Sequence, residues 1–475
     1  MAGQQFDSMT VPPRLPLVVA TSNRNSSTAK DAKIVNGYIE TDDNGEVYIY
    51  KRPGMLTAGD FATGQIGRGL FYWDGDVYSI FGSTLFRNGV SVGTGLNTTK
   101  GVYRFSSILG ATPKMTLGNG AKGYAYWVAS GLTADLNSID VNYPATTVKG
   151  WAYLNGAQYV MQTAAVIWGS VVNSVSVNGN WSAINFISAQ IEPDNGVQLS
   201  KQLVYVIAFN EWSTEVFFDA GNATGSPLGN VQGSKSNFGC ANQDSVQSIE
   251  DVLLWLSINQ TASLQVAMMQ NLNVSIISTK PIDRLLASAA LTGVDNVMSW
   301  QIKLDGHSFY VLTIVSSNLT LAYDIVESRW YQWTDSNGNY LPIIASTYDS
   351  SSRHILQHAT NGKLYYMSHT YYNDDSAIIT TDIVTPIFDA QTRRVKQLGQ
   401  FTVIADQQFG SELQVRWSDN DYIGWTNFDI MDLSEDSPSL FDLGSFTKRA
   451  FHLRHAENTP LRIQAVELQY DVGAQ

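Results

Sequence analysis

Charge is scarce in this chain. Asp, Glu, Lys and Arg make up 15% of its 475 residues, against about 25% in an ordinary soluble domain. What charge there is leans acidic, with 29 basic and 42 acidic residues and a formal net charge of −13. That balance argues against a general nucleic-acid binder, which works by neutralising phosphates. It fits a surface that repels DNA, or one that meets a basic partner. Cysteine is nearly absent. Cys240 stands alone, which excludes an internal disulfide framework and any multi-cysteine zinc site. Long apolar runs are missing too. The most apolar stretches, residues 164–169 and 203–209, are far short of the roughly 20 residues a spanning helix needs and suit buried strands. Residues 1–17 hold no apolar segment of the secretory type, so no targeting or membrane-spanning segment is expected. Helical periodicity is equally rare. The best case is 281–290 (PIDRLLASAA), with Thr279 as N-cap, Asp283 in the first turn, and Ile282, Leu285, Leu286 and Ala289 on one face. A second, weaker helical stretch is 28–34.

Apolar and aromatic residues are plentiful instead, at 44% and 11%. Such a chain can bury a large core, which excludes global disorder. It is too long for one ordinary core, since these stop growing near roughly 250–300 residues, so two domains or a large repeat architecture is expected. Short runs of Val, Ile, Tyr, Phe and Trp alternate with Gly, Asn, Asp and Ser. Asp74-Gly75, Asn88-Gly89, Asn155-Gly156, Asn178-Gly179, Asp305-Gly306 and Asn361-Gly362 each suit a hairpin turn that demands positive φ. The hairpins group into units near 66–100, 101–147, 148–195, 196–238, 239–296, 297–339 and 340–377, close to the length of a propeller blade. The expected fold is therefore all-β: a β-propeller of six to eight blades over 66–377, with one or two β-sandwiches as the alternative. Residues 1–65, with a polar stretch at 21–32, read as an N-terminal arm feeding a strand at 46–51. From 378 to 475 the alternating runs at 378–388, 401–405, 413–418, 450–454 and 461–470 read as a smaller β-sandwich-like domain, interrupted by an acidic loop at 429–442.

Residues that could carry chemistry do not assemble into a motif. His354 and His358 fall on one side of a strand about 13 Å apart, too far to share a metal, and read as surface histidines. His452 and His455 fall on opposite faces. Asp335 to Asn339 and Asp42 to Glu46 have the oxygen-rich look of calcium loops, but with glycine in the wrong place they read as turns. A glycosidase needs two carboxylates about 5–10 Å apart. Glu211, Glu215, Glu250 and Asp251, beside apolar strands, are the first suspects, against the plainer reading of solvated turns and strand edges. The segment 418–425 resembles a sialidase Asp-box turn only loosely. Basic residues cluster at Arg393, Arg394 and Lys396, and at Lys448, Arg449 and Arg454, which read as solvated strand ends. No phosphate loop, dinucleotide fingerprint or nucleophile elbow is present. No catalytic, cofactor-binding or metal-ligating residue is assigned, and no cofactor is expected.

The most specific stretch is 204–286. It holds Ser213-Thr214-Glu215 with Phe217, Phe218 and Gly221, then Gly239-Cys240-Ala241, Ser245-Val246, Asp251 and Trp255-Leu256, then Ile277-Ser278-Thr279 and Ile282. With the later LAYDIVESRWYQW at 321–333, the turn SDNDYIGW, and the closing stretch from Thr447 to Tyr470, it resembles the tail hub or nozzle proteins of short-tailed bacteriophages, also known as packaged-DNA stabilisation or tail tube proteins. The resemblance covers roughly 200–475. It implies a structural protein and not an enzyme: a β-propeller assembled as a hexameric ring beneath the portal and head-to-tail adaptor, above a tail tip, needle or fibre. The ring's channel holds and then conducts genomic DNA without sequence-specific contact. It implies a place in the virion tail after synthesis in the host cytoplasm. In this setting Trp255 is expected to pack between sheets and Glu215 to hydrogen-bond within a blade. The surface loops 130–148, 220–238 and 429–442 are the candidates for contacts with neighbours. Acidity suits a conduit past which DNA slides. Two other readings compete: a tail polysaccharide depolymerase, which needs a carboxylate pair in a cleft, and a monomeric propeller adaptor, which forms no ring.

Overall fold

The computed structural model describes residues 12–17, 21, 32–261 and 263–473. The chain divides into two compact units, each discontinuous in sequence. One comprises 56–328 with 338–367; the other comprises residues up to 55, 329–337 and 368 onward.

The larger unit is a β-propeller. Among the described residues it holds seven groups of antiparallel strands, the first five of them sheets of their own. The first blade is Gly67–Trp73, Asp76–Phe81, Thr84–Arg87 and Val90–Gly93. The second runs from Arg104–Ile108 to Gly131–Leu132, the third from Ala152–Leu154 to Trp181–Ser188, and the fourth from Gly196–Gln202 to Leu228–Asn230. In the fifth, Gly239–Cys240 and Gln247–Ile249 both pair with Val252–Ile258. Val297–Leu304 opens the sixth and Ile343–Tyr348 the seventh. The last place in the seventh blade is taken by Gly54–Asp60, from the other end of the chain.

Local chemistry sets the hairpins. Asp74-Gly75, Asn88-Gly89, Asn155-Gly156 and Asp305-Gly306 carry positive φ at both residues, the two-residue turn whose twist matches the strands it joins. Asn178-Gly179 and Asn361-Gly362 depart from the expectation. Only the glycine is left-handed there, and both sit in longer loops. The middle strands of the blades are buried on both faces, which is why 206–209, 253–256 and 309–312 are unbroken apolar runs and not alternating ones. The core is accordingly divided between blades. Tyr78, Leu85, Met115 and Leu117 pack between the first and second. Leu154, Met161, Val206 and Phe217 fill the gap between the third and fourth. Leu70 and Phe81 meet Ile355 and Leu364 where the seventh adjoins the first.

The predicted helix is present as Lys280–Thr292, with Ile282, Leu285, Leu286 and Ala289 buried. Thr279 occupies the N-cap but its hydroxyl makes no capping bond. Ser278 donates to Asp283 Oδ1 at 2.5 Å instead. Of the weaker stretch 28–34, residues 28–31 lie outside the described residues, and Lys33–Val35 is a strand.

The smaller unit is a two-sheet sandwich. In one sheet Lys33–Val35 lies parallel to Arg329–Gln332 and antiparallel to Thr381–Val384, followed by Ala450–His455, Glu412–Ser418 and Asp429–Asp432. The other orders Gly37–Thr41, Val47–Lys51, Arg462–Val472, Lys396–Ala405 and Ser439–Phe441. Phe401 and Phe451, one from each sheet, meet with ring centroids 4.9 Å apart. Two expectations change here. Residues 33–51 are three paired strands and not one strand fed by an arm. The acidic stretch 429–442 is not a loop, because Asp429–Asp432 and Ser439–Phe441 are edge strands, one on each sheet.

Candidate functional site

Every blade lines a cavity of about 630 Å³ on the propeller axis, with its first strand in most, with Gly150 and Trp151 just ahead of that strand in the third, and with Gln247–Ile249 in the fifth. Its charged and titratable lining residues are Arg104, Glu250, Lys303 and His354, with Tyr72 and Tyr348 among the aromatics. Glu250 stands at positive φ in the turn after Gln247–Ile249 and is ion-paired with Lys303. Among the described residues it is the one carboxylate in the lining, whereas acid–base hydrolysis of a glycoside calls for two.

The other carboxylate suspects lie elsewhere. Glu211 accepts from Asn195 Nδ2 at 3.1 Å. Glu215 is fully buried on Thr214–Asp219 and accepts from the Ile191 N–H at 2.8 Å and Asn230 Nδ2 at 3.0 Å. Burial raises its pKa, and those two donors oppose the rise. It ties the third blade's exit loop to the fourth blade's outer strand. Trp255 is fully buried, donates from Nε1 to the Gly239 carbonyl at 2.9 Å, and meets Phe209 edge-on. Ser245 Oγ accepts from the Leu256 N–H, and Cys240 is buried, with burial pushing its thiol up to about 12. Glu215, Cys240, Ser245, Trp255 and Leu256, which carry part of the family resemblance, are therefore blade-building residues.

Histidines and basic clusters are more buried than the sequence suggests. His358 is half-buried; burial lowers its pKa to about 4, and its Nδ1 accepts from the Thr360 and Asn361 N–H groups. His452 accepts from Arg416 Nε at Nδ1 and presents Nε2 to Asp382 at 2.6 Å. His455 is fully buried against Ser411 and Lys51, and burial lowers its pKa to about 3. Lys396 and Arg449 are buried rather than solvated. Lys396 Nζ donates to the Thr392 and Thr447 carbonyls, and Arg449 grips Asp419 with two nitrogens. Only Arg393 and Arg394 of that group are exposed. The suspected calcium loops are turns closed by Asp42 and Asp335, whose carboxylates accept backbone N–H groups.

One grouping escaped the sequence reading. Arg68, Arg104 and Lys149 stand where the innermost strands of the first three blades begin, one blade-length apart. Lys149 Nζ bonds both oxygens of Asp244, at 2.8 and 2.6 Å. Arg104 Nη2 donates to the Asp244 carbonyl at 3.0 Å, and Arg68 Nη1 to the Gly101 carbonyl at 3.2 Å. The signal was their recurrence at matching blade positions.

Apolar side chains also remain exposed. In the propeller unit Ile184 and Phe186 project from the outer strand of the third blade. In the sandwich unit Phe409, Ile430 and Phe441 do so beside the acidic edge strands.

Residues 35–372 match the family described as Bacteriophage P22 Gp10, beta-propeller. The chain belongs to this family. The match takes in about seven tenths of the sequence. This is a phage tail hub and nozzle family, which gives the chain a structural role in the phage tail. No curated protein matches the chain. Solved structures of similar fold include the extracellular domain of a hybrid two component system from B. thetaiotaomicron, at 9% identity and a TM-score of 0.42 over 73% of this chain. This chain spans 42% of the length of that one. Others are the N-terminal domain of Nup159, at 9% identity and a TM-score of 0.38, covering 71% of this chain and 98% of that one, and BamB from Moraxella catarrhalis, at 10% and 0.33, covering 70% and 82%. At these scores the three likenesses carry no functional weight. No described helix of this tail protein is long and apolar enough to cross a membrane.

Proposed function

We propose that this tail protein is one subunit of a six-membered ring, the nozzle, whose channel retains packaged DNA and then conducts it during ejection. The ring would sit below the portal and head-to-tail adaptor and above a tip, needle or fibre protein, after synthesis in the host cytoplasm. The observation that carries the reading is membership of the P22 Gp10 family, whose match spans the whole propeller unit.

Two physical features support it. The axial cavity of a single propeller admits water or a small solute, not a duplex whose major groove alone is about 12 Å wide. A conduit for DNA would therefore have to lie between subunits. The chain is also poor in charge and leaves apolar side chains such as Ile184, Phe186, Ile430 and Phe441 on its surface, which suits protein interfaces. The net charge of −13 removes the counterion-release attraction that would hold DNA to the wall.

The test is the solution mass by light scattering, alone and with the adaptor, with negative-stain images of the same peak. Six chains per particle, or six-fold rings on the adaptor, is the expected result. A monomer that ignores the adaptor would overturn the reading.

A further inference from the structure

The three cations around Asp244 are out of balance. Lys149 is 1% exposed, and Arg68 is 8% exposed as a residue. Arg104 reaches the axial cavity. The exposed Lys100 adds to the same field. Among the described charged groups acting on Arg68, Arg104 and Lys149, Asp244 is the single carboxylate; Lys149 holds both its oxygens and Arg104 Nη2 stands 4.0 Å from its Oδ1, so one negative charge faces three cations. The grouping is physically continuous. Arg68 donates to the Gly101 carbonyl, and a side chain on Gly101 would come within 3.9 Å of Lys149 Nζ. Two donors are unused: the buried Nε atoms of Arg68 and Arg104 have no hydrogen-bond partner. Burying charge without a counter-charge and leaving guanidinium N–H groups unpaired both cost stability. The arrangement is what a bound oxyanion would relieve, because guanidinium and ammonium donors match phosphate in geometry and sign.

We infer that the end of the propeller axis where the innermost strands begin is an anion site that takes a phosphate group, with Arg104 as the contacting residue and Arg68 and Lys149 behind it. The site belongs to one propeller and does not depend on the ring. Free phosphate and the phosphate of a nucleotide share this chemistry.

The test is calorimetric titration of the intact chain with inorganic phosphate, with thymidine 5′-monophosphate and with thymidine, all in chloride buffer of matched ionic strength. Saturable binding of inorganic phosphate and of the monophosphate, with none by thymidine, is the expected result. A monophosphate that binds tighter than free phosphate would identify a nucleotide as the source, and equal binding would identify the free ion. Arg104→Gln should weaken phosphate binding about tenfold, the worth of one charge-assisted bond. Should that variant not fold, Arg68→Gln replaces it, with a smaller but measurable loss of phosphate binding expected from the removed charge. Phosphate that does no more than chloride on the wild-type chain, thymidine that binds as well as its monophosphate, or a folded Arg104→Gln that binds phosphate undiminished, would each overturn the inference.

Discussion

Lys51 gives the sharpest test of how the sandwich unit is held. It closes the strand Val47–Lys51 and is 2% exposed. Its Nζ donates to the Glu457 carbonyl at 2.6 Å and lies 3.4 Å from His455 Nδ1. Burial, with the neighbouring Arg52 charge, lowers its pKa from 10.5 to about 7. Below pH 7 both folded and unfolded chains hold the proton. Between about 7 and 10.5 the unfolded chain holds a proton that the folded chain has released. Stability therefore rises with pH across that window, by about 1.4 kcal/mol per unit and by at most about 5 kcal/mol in all. Lys51→Met removes the titration and keeps the side-chain length. Urea unfolding of wild type and variant at pH 7, 8, 9 and 10, followed by near-ultraviolet circular dichroism, cancels every other titrating group in the difference. The wild type should gain on the variant by about 1.4 kcal/mol per pH unit in mid-window. A difference that stays flat from pH 7 to 10 would refute the buried, proton-losing lysine.

His455 and His358, whose pKa values are lowered to about 3 and about 4, should act with the same sign in a more acidic window. The unfolded chain binds their protons first, so stability falls as pH drops from 6.5, and His455→Gln should blunt the fall in acid unfolding curves. Asp374→Asn strips the carboxylate from the wholly buried Arg52, which it grips with both oxygens. A loss of about 3–5 kcal/mol is expected in the same urea assay. Trp255→Ala should cost about 3–5 kcal/mol, while Trp255→Phe should cost less, losing chiefly the bond to the Gly239 carbonyl. Gly150 sits at φ +101° with the Leu199 carbonyl 1.9 Å from where a Cβ would fall. Gly150→Ala should therefore lower propeller stability by at least about 2 kcal/mol, read as a lower melting temperature.

Local chemistry made much of the propeller readable. A pair such as Asp305-Gly306 can serve few turns other than the one it makes, and the helical face from Ile282 to Ala289 repeats at the helical period. Long-range pairing left no such mark. Nothing in residues 54–60 announces a partner some 300 positions away, so the seventh blade's last strand stayed hidden. Edge strands were also missed. Asp429–Asp432 is half acidic because its outer edge faces water, and the sequence made it look like a loop. Charge was the poorest guide to burial. Lys51, Arg52, Lys149 and Arg449 sit in strands or turns that look ordinary until the fold encloses them with Glu457, Asp374, Asp244 and Asp419. That Glu250 and Lys303 meet on the wall of the axial cavity could not be read at all, because that wall is drawn from all seven blades.

The strand Gly54–Asp60 also sets a timetable. It is synthesised before any blade, yet its place beside Lys363–Ser368 exists only after the rest of the propeller has left the ribosome. At about 5–20 residues per second, that strand waits roughly a quarter of a minute to a full minute for its partner. Over that interval an unpaired edge is available to the matching blade of another nascent chain, and synthesis of many copies side by side is where an exchange of strands between them would arise.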